Sequence, residues 1–363
     1  MHQCVWGKAL LHSTCKCSLC AFCKLSNKCF HFSSSDNTTI DGSSGLESAL
    51  KHIHTFSLVI YCVIIVVGTV GNGLVIYVTG FKMKKTVNSV WFLNLALADF
   101  LFTAFLVFTA VSLSRQHHWP FGEFMCKLNS FVSLVNMFAS VFFLMAINLD
   151  RCLSTWVVEW AQNERTVLKA QIISAVIWFA AGICSTPYAS FRIVTNQKNV
   201  TQCRYKDNIQ LKWTLCTFRF VVGFLIPFLA IFFSYVAIGI RSKRLQNVRK
   251  HLSHVIVFII VAFFICWLPF HVMSFIELAS NNNLKKIVEI GGPLTLSLAF
   301  MNSCLNPILY VFIRDDFQNQ LHQSVCFVVE NALAEDFLPS VSSRFLSPQL
   351  PRADRKSHTS VPV

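Results

Sequence analysis

The sequence predicts an all-α membrane protein, a seven-transmembrane helix bundle with a short amphipathic helix after span 7, on three observations. The chain has 363 residues, is 54% hydrophobic and 13% charged, and carries 35 phenylalanines, which is too apolar for one soluble domain of that size. Apolar runs of about 20 residues, the length that crosses a hydrocarbon core of ~30 Å, recur near 56–81, 87–113, 124–149, 170–190, 213–240, 254–279 and 287–313. The connections between these runs are short, as in a compact bundle.

Residues 1–55 form a Cys-rich, flexible amino-terminal segment ahead of the first run. Six cysteines (Cys4, Cys15, Cys17, Cys20, Cys23 and Cys29) lie beside Lys8, Lys16, Lys24 and Lys28 with no acid among the first 29 residues. A zinc knuckle would suit the spacing of Cys17, Cys20 and Cys23, but no histidine or second pair follows at a typical interval. A signal peptide fits badly, because the apolar stretch from Val5 to Leu11 is short and interrupted by Lys8. A disulfide-bonded cap and a plain extension remain the alternatives.

The seven spans, residues 56–313, each carry polar or helix-breaking residues at defined places. Span 1 has "GTVGNGLV" with Asn72, and span 2 has Asp99 near the middle of an apolar run. A carboxylate at a membrane-helix centre costs ~2.5 to 3.5 kcal/mol on insertion scales, so it needs partners or a task. Span 3 ends in "NLDRC", span 4 holds Trp178, span 5 holds Arg219, Pro227 and Tyr235, span 6 reads "CWLPF", and span 7 reads "NSCLNPILY". The other cysteines within spans read as small packing residues. After span 7, residues 314–330 place Phe317, Leu321, Val325 and Val328 on one face, behind two acids at the start, which predicts a helix lying along the inner leaflet. Cys326 within it is a weak palmitoylation candidate. Residues 331–363 are polar and Ser-rich, a disordered cytoplasmic tail open to kinases.

Charge alone does not orient the chain. The loop after span 1 has Lys82, Lys84 and Lys85, and the loop after span 5 has Arg241, Lys243, Arg244, Arg249 and Lys250, without acids. The loop after span 4, however, also carries Arg192, Lys198, Arg204, Lys206 and Lys212 against Asp207, so the positive-inside bias is ambiguous. Glycosylation sequons at Asn37 and Asn199 decide for an amino terminus outside and a carboxyl terminus in the cytoplasm of a multi-pass plasma-membrane protein. Cys126, at the start of span 3, and Cys203 then lie on the oxidising side and are free to pair; two unrelated thiols are the alternative.

Nothing here reads as an enzyme: His12, His31, His52 and His54 lack a carboxylate pair and no phosphate-binding glycine loop is present. A transporter or channel is disfavoured by seven spans without visible repeats and a single deep acid. No nucleic-acid partner and no cofactor are expected.

The ordered set from Asn72 to "NPILY" resembles the fingerprint of rhodopsin-class (class A) G-protein-coupled receptors. "TVNSVWFLNLALADFLF", "NMFASVFFL", "HWPFG", "LDRC", "LAFMNSCLNPILYVF" and "ENALAEDF" resemble the chemoattractant branch, chemerin-type receptors and the neighbouring formyl-peptide receptors. The resemblance implies a receptor for a peptide or small protein, signalling through an inhibitory-type G protein, with arrestin and receptor kinases as further partners. The intact Asp150-Arg151 and Asn306-Pro307-Tyr310 elements disfavour a non-signalling decoy.

The resemblance also assigns roles. A sodium ion would sit at Asp99 with Asn136, Ser140, Asn302, Ser303 and Asn306, each able to offer an oxygen; a dry hydrogen-bond network is the alternative. Asp150 and Arg151 are expected as a local ion pair whose release presents Arg151 to the G protein. Pro269 weakens span 6 beside Trp267, while Pro307, Tyr310 and Tyr235 complete the moving parts. Arg219 and Arg192 would meet an acidic ligand group, with Glu277, His271 and Trp267 as further contacts. Leu134 and Leu215 stand where formyl-peptide receptors have an acid and an arginine, which disfavours formyl-methionine as the ligand.

Overall fold

The computed structural model describes residues 42–197, 200–242, 250–279 and 284–313. Asn37, Asn199, Lys243, Arg244, Arg249, the amino-terminal cysteines, segment 314–330 with Cys326, and the tail lie outside them, as do the side chains of Asn306 and Tyr310.

Helix α1 runs Gly42–Tyr77 and closes in a π-turn, Val78–Lys82. It starts ahead of the expected boundary at residue 55, because "LESALKH" holds good helix formers and no proline, so the helix continues past the apolar run. Helix α2 spans Val87–Ser114 and begins in a capping box: Thr86 Oγ1 accepts from the Ser89 amide at 3.2 Å and Ser89 Oγ accepts from the Thr86 amide at 2.7 Å. Helix α3 covers Gly122–Trp156, and a short α4, Val158–Asn163, follows in the second inner loop.

Helix α5, Val167–Ser190, is capped by Thr166, and α6, Ile209–Phe220, by Asn208, whose Oδ1 accepts from the Leu211 amide at 3.0 Å. A π-turn at Val221–Leu225 joins α6 to α7, Ile226–Ser242; the two helices together make span 5. Helices α8, Lys250–Ala279, and α9, Lys285–Ile313, make spans 6 and 7. Among the described residues, seven helical segments are long and apolar enough to cross a membrane.

Span 3 is the central post. More than half of its apolar window, 56%, is buried, against 22% for spans 4 and 6, so those two turn mainly outward. Phe138, Val141 and Phe143 on α3 are fully buried, while Phe179, Phe233 and Ile265 are exposed on the outside of the bundle, where lipid rather than water would meet them. Spans 1, 2 and 7 meet through small residues: a Cβ on Gly68 would stand 2.5 Å from Thr103 Cγ2, and one on Gly71 3.0 Å from Pro307 Cβ.

The loop between spans 4 and 5 folds as an antiparallel hairpin, β1 Arg192–Gln197 and β2 Val200–Tyr205, in register from Arg192 opposite Tyr205 to Gln197 opposite Val200. A Cys126–Cys203 disulfide, Cα atoms 5.7 Å apart, ties β2 to the top of α3. The loop between spans 2 and 3 holds the same strand from the other side. The Trp119 amide donates to the Thr201 carbonyl at 2.7 Å, and the Thr201 amide to His118 Nδ1 at 3.3 Å.

Candidate functional site: a basic outer cavity, a buried carboxylate and an inner clamp

Beneath the hairpin, spans 3, 5, 6 and 7 enclose a cavity of about 610 Å³. Arg192, Arg219, Glu277 and Trp267 all line it, so four of the expected ligand contacts come together. Arg219 projects from the last turn of α6. Its Nη2 donates to Ser274 Oγ at 2.9 Å, and its guanidinium lies 4.5 Å over the Phe270 ring. Its Nε is buried with no hydrogen-bond partner among the described residues, while the side chain as a whole lines the cavity. Arg192 lies 3.8 Å over Tyr205, its cross-strand neighbour, and Nη1 reaches the Cys203 carbonyl at 3.5 Å.

The remaining lining cations are already matched. Lys212 Nζ is 3.1 Å from Asp207 Oδ1, and Arg204 also grips that carboxylate. The hydrogen bond from Lys212, together with the charge of Arg204, holds Asp207 below the usual carboxylate range. Among the described lining residues, Arg192 and Arg219 are therefore the cations left to a ligand, with Glu277 the opposing acid. Leu134 and Leu215 both line the same space. Arg204, Lys212 and Ser274 were not expected there; the basic loop was visible in the sequence, but its hairpin geometry was not.

His271 corrects the expectation. It is 1% exposed and lies among Phe220, Phe224 and Phe270, with ring centroids 5.7, 5.1 and 5.7 Å away, rather than on the cavity wall. The next residue along from Phe270 points a further 100° around the helix, into the interface with span 5. Trp267 sits one turn below, at the cavity floor, packed on Phe263 and Phe270.

In the middle of the bundle Asp99 is fully buried. Its Oδ1 accepts from Asn136 Nδ2 at 2.9 Å and lies 3.5 Å from Ser140 Oγ; Ser303 Oγ donates to Asn136 Oδ1 at 3.3 Å. Asn72 Nδ2 donates to the Ser303 carbonyl at 3.0 Å, while its own buried Oδ1 has no partner among the described residues. Asn302 is buried on the same helix. The donor set is oxygen from spans 1, 2, 3 and 7, which fits a hard cation.

At the end of span 3 Asp150 is held by Arg165, a partner the sequence did not suggest. Arg165 Nε donates to Asp150 Oδ1 and Oδ2 at 2.8 and 3.1 Å, and Nη2 donates to Oδ2 at 2.8 Å and to Asn88 Oδ1 at 2.7 Å. A guanidinium approaching edge-on from the second inner loop meets both oxygens, a fork that the neighbouring residue on the same helix cannot easily match. Trp156, at the end of α3, donates Nε1 to the Ala237 carbonyl at 3.2 Å and stacks 5.6 Å from Arg241. Tyr235 faces outward, 37% exposed, and Pro269 and Pro307 lie inside α8 and α9. Trp178 Nε1 donates to Asn94 Oδ1 at 2.8 Å, fastening span 4 to span 2.

Seven apolar helices around a buried acid, with a polar cavity opening beneath a disulfide-tethered hairpin, define a heptahelical membrane receptor. The chain belongs to the rhodopsin family of seven-transmembrane receptors, whose model matches residues 71–310; these are receptors, not enzymes. It is 38% identical over 291 residues to the C3a anaphylatoxin chemotactic receptor of Danio rerio, covering 79% of this chain and 80% of that one. It is also 38% identical to chemerin-like receptor 1 of Homo sapiens, over 82% of this chain and 84% of the relative. The same identity holds to chemerin-like receptor 2 of Rattus norvegicus, over 84% and 88%.

Proposed function

We propose that this receptor sits in the plasma membrane with its amino terminus outside and detects a peptide or small-protein chemoattractant, one of chemerin-like type, through the ligand's terminal carboxylate. The observation that carries the reading is Arg219, a guanidinium inside an apolar span that lines the cavity. A charge there is tolerated where it faces a wet or ligand-filled space. Arg192 supplies a second anchor above it, and the relatives are named as receptors for C3a anaphylatoxin and as chemerin-like receptors.

Ligand seated against Trp267 acts on span 6 near Pro269, where the missing backbone hydrogen bond makes bending cheap. The inner end then opens for an inhibitory-type G protein, with Arg151 as the donor-rich contact, and Tyr235, Pro307 and Tyr310 as moving parts. Arrestin and receptor kinases act on the tail, and Asn37 and Asn199 carry glycans. Sodium held by Asp99, Asn136, Ser140, Asn302, Ser303 and Asn306 favours the inactive state.

The test is nucleotide exchange in membranes holding receptor and inhibitory-type G protein, driven by carboxyl-terminal peptides of chemerin and C3a. Ligand-dependent exchange that Arg151→Ala removes, with binding retained, supports the reading. Binding without exchange in the wild-type protein makes it a decoy.

A further inference from the structure

We propose that His54 and His117 form a two-histidine site for a divalent transition metal, of the zinc class, on the outer face between span 1 and the following outer loop. His54 lies at the outer end of α1, beyond the apolar run, and His117 in the loop after α2; their ring centroids are 5.0 Å apart at an interplanar angle of 82°. Zinc–nitrogen bonds of about 2.0 Å at a tetrahedral angle place two imidazole centroids roughly 5 Å apart. The rings rotate freely about metal–nitrogen bonds, so their mutual tilt is not restricted. Neither ring has a hydrogen-bond partner among the described residues; the backbone of His117, at φ 65° after Gln116 at φ 54°, belongs to the turn that closes α2, where the His117 amide donates to the Ser112 carbonyl at 2.8 Å.

Ligation needs neutral imidazole. Lys51 and Arg115 lie close in sequence and add positive charge, and among the described residues no third ligand joins the pair. Water completes the coordination, and the site is a low-affinity, modulatory one. The loop bearing His117 also holds Thr201 through His118 and Trp119, so a metal at the pair would fasten span 1 to the hairpin covering the cavity.

The test uses full-length receptor in nanodiscs, zinc chloride as the only probe, and residue-resolved mass spectrometry of imidazole acylation by diethyl pyrocarbonate, with His52 as internal reference. For an affinity on the order of 10 µM, about 100 µM zinc slows acylation of both rings about tenfold, and chelator reverses it. His117→Asn, a residue that tolerates the same backbone conformation, abolishes the protection of His54. Zinc-independent acylation of both rings, or His54 protection surviving in His117→Asn, overturns the site. Because the readout is resolved by residue, metal bound by other cysteines or histidines does not count in its favour.

Discussion

Arg165 holds Asp150 with both Nε and Nη2, at 2.8 to 3.1 Å, and uses the same Nη2 to reach Asn88 on span 2. One guanidinium therefore joins the ends of spans 2 and 3 to the loop between spans 3 and 4. Both Asp150 oxygens are engaged by Arg165, which sets up a competition with the adjacent Arg151. Removing Arg165 hands the carboxylate to Arg151 and restrains the residue proposed to meet the G protein. Agonist-driven nucleotide exchange should fall in Arg165→Ala and be rescued by adding Asp150→Asn, which removes the carboxylate that would otherwise hold Arg151. Arg165→Lys should be intermediate, since an ammonium cannot fork across two oxygens. An undiminished response in Arg165→Ala, or no rescue, would assign the clamp to folding alone.

Asp99 yields a prediction about ions. Asn136, Ser140 and Ser303 form a hydrogen-bond network on it in the absence of a cation, but its charge in a fully buried position is better matched by one. If sodium binds the inactive state more tightly, agonist affinity must fall as sodium rises, by linkage. Agonist binding measured with sodium exchanged for a bulky organic cation at constant ionic strength should show that fall in the wild-type receptor and not in Asp99→Asn. Sodium-insensitive wild-type binding would leave the dry network as the answer.

How far the sequence foretold these features follows from the range of the forces involved. The seven spans were legible because each is a local apolar run, and the Asp99 cluster because an acid in such a run is conspicuous by itself. Cys126 and Cys203 were legible only as two thiols on one side; the bond required the fold. The hairpin gave no alternating pattern, since every described residue of β2 is half-buried. Arg165 carried no signal at all: it sits beside Glu164, which instead pairs with Lys169. His271 was expected as a ligand contact from the resemblance alone, which carries no information on how the ring packs; one residue past Phe270 it turns about 100° around the helix and is buried among Phe220, Phe224 and Phe270.

The disulfide between Cys126 and Cys203 anchors the hairpin that roofs the cavity. It constrains the unfolded chain and should stabilise the receptor by about 2 to 4 kcal/mol. Cys203→Ser is expected to lower the thermal midpoint in detergent, and to weaken ligand binding further because Arg192 and Tyr205 lose their fixed position above Arg219. Unreduced peptide mapping checks the bond directly; a variant with unchanged melting and affinity would show that the strand is held by Trp119 and His118 alone.

The most specific consequence concerns the ligand's charge. Arg219 is braced by Ser274 and Phe270 and, with Arg192, faces a cavity in which Arg204 and Lys212 are spent on Asp207. A carboxylate entering this space would find a guanidinium already oriented and partly stripped of water, so little ordering is required on binding. Truncating one partner of such a charge-assisted pair costs roughly 2 to 5 kcal/mol, well over tenfold in potency. Arg219→Ala should therefore weaken a free-acid peptide strongly, while the carboxyl-amidated peptide, which has already lost the anion, should lose little more. Arg219→Lys should recover part of the loss for the acid, because charge remains though the fork does not. Measured as a double-mutant cycle over receptor and peptide, the interaction energy separates reading of the carboxylate from packing on Phe270. Equal losses for acid and amide would mean that Arg219 shapes the cavity without reading the ligand's charge.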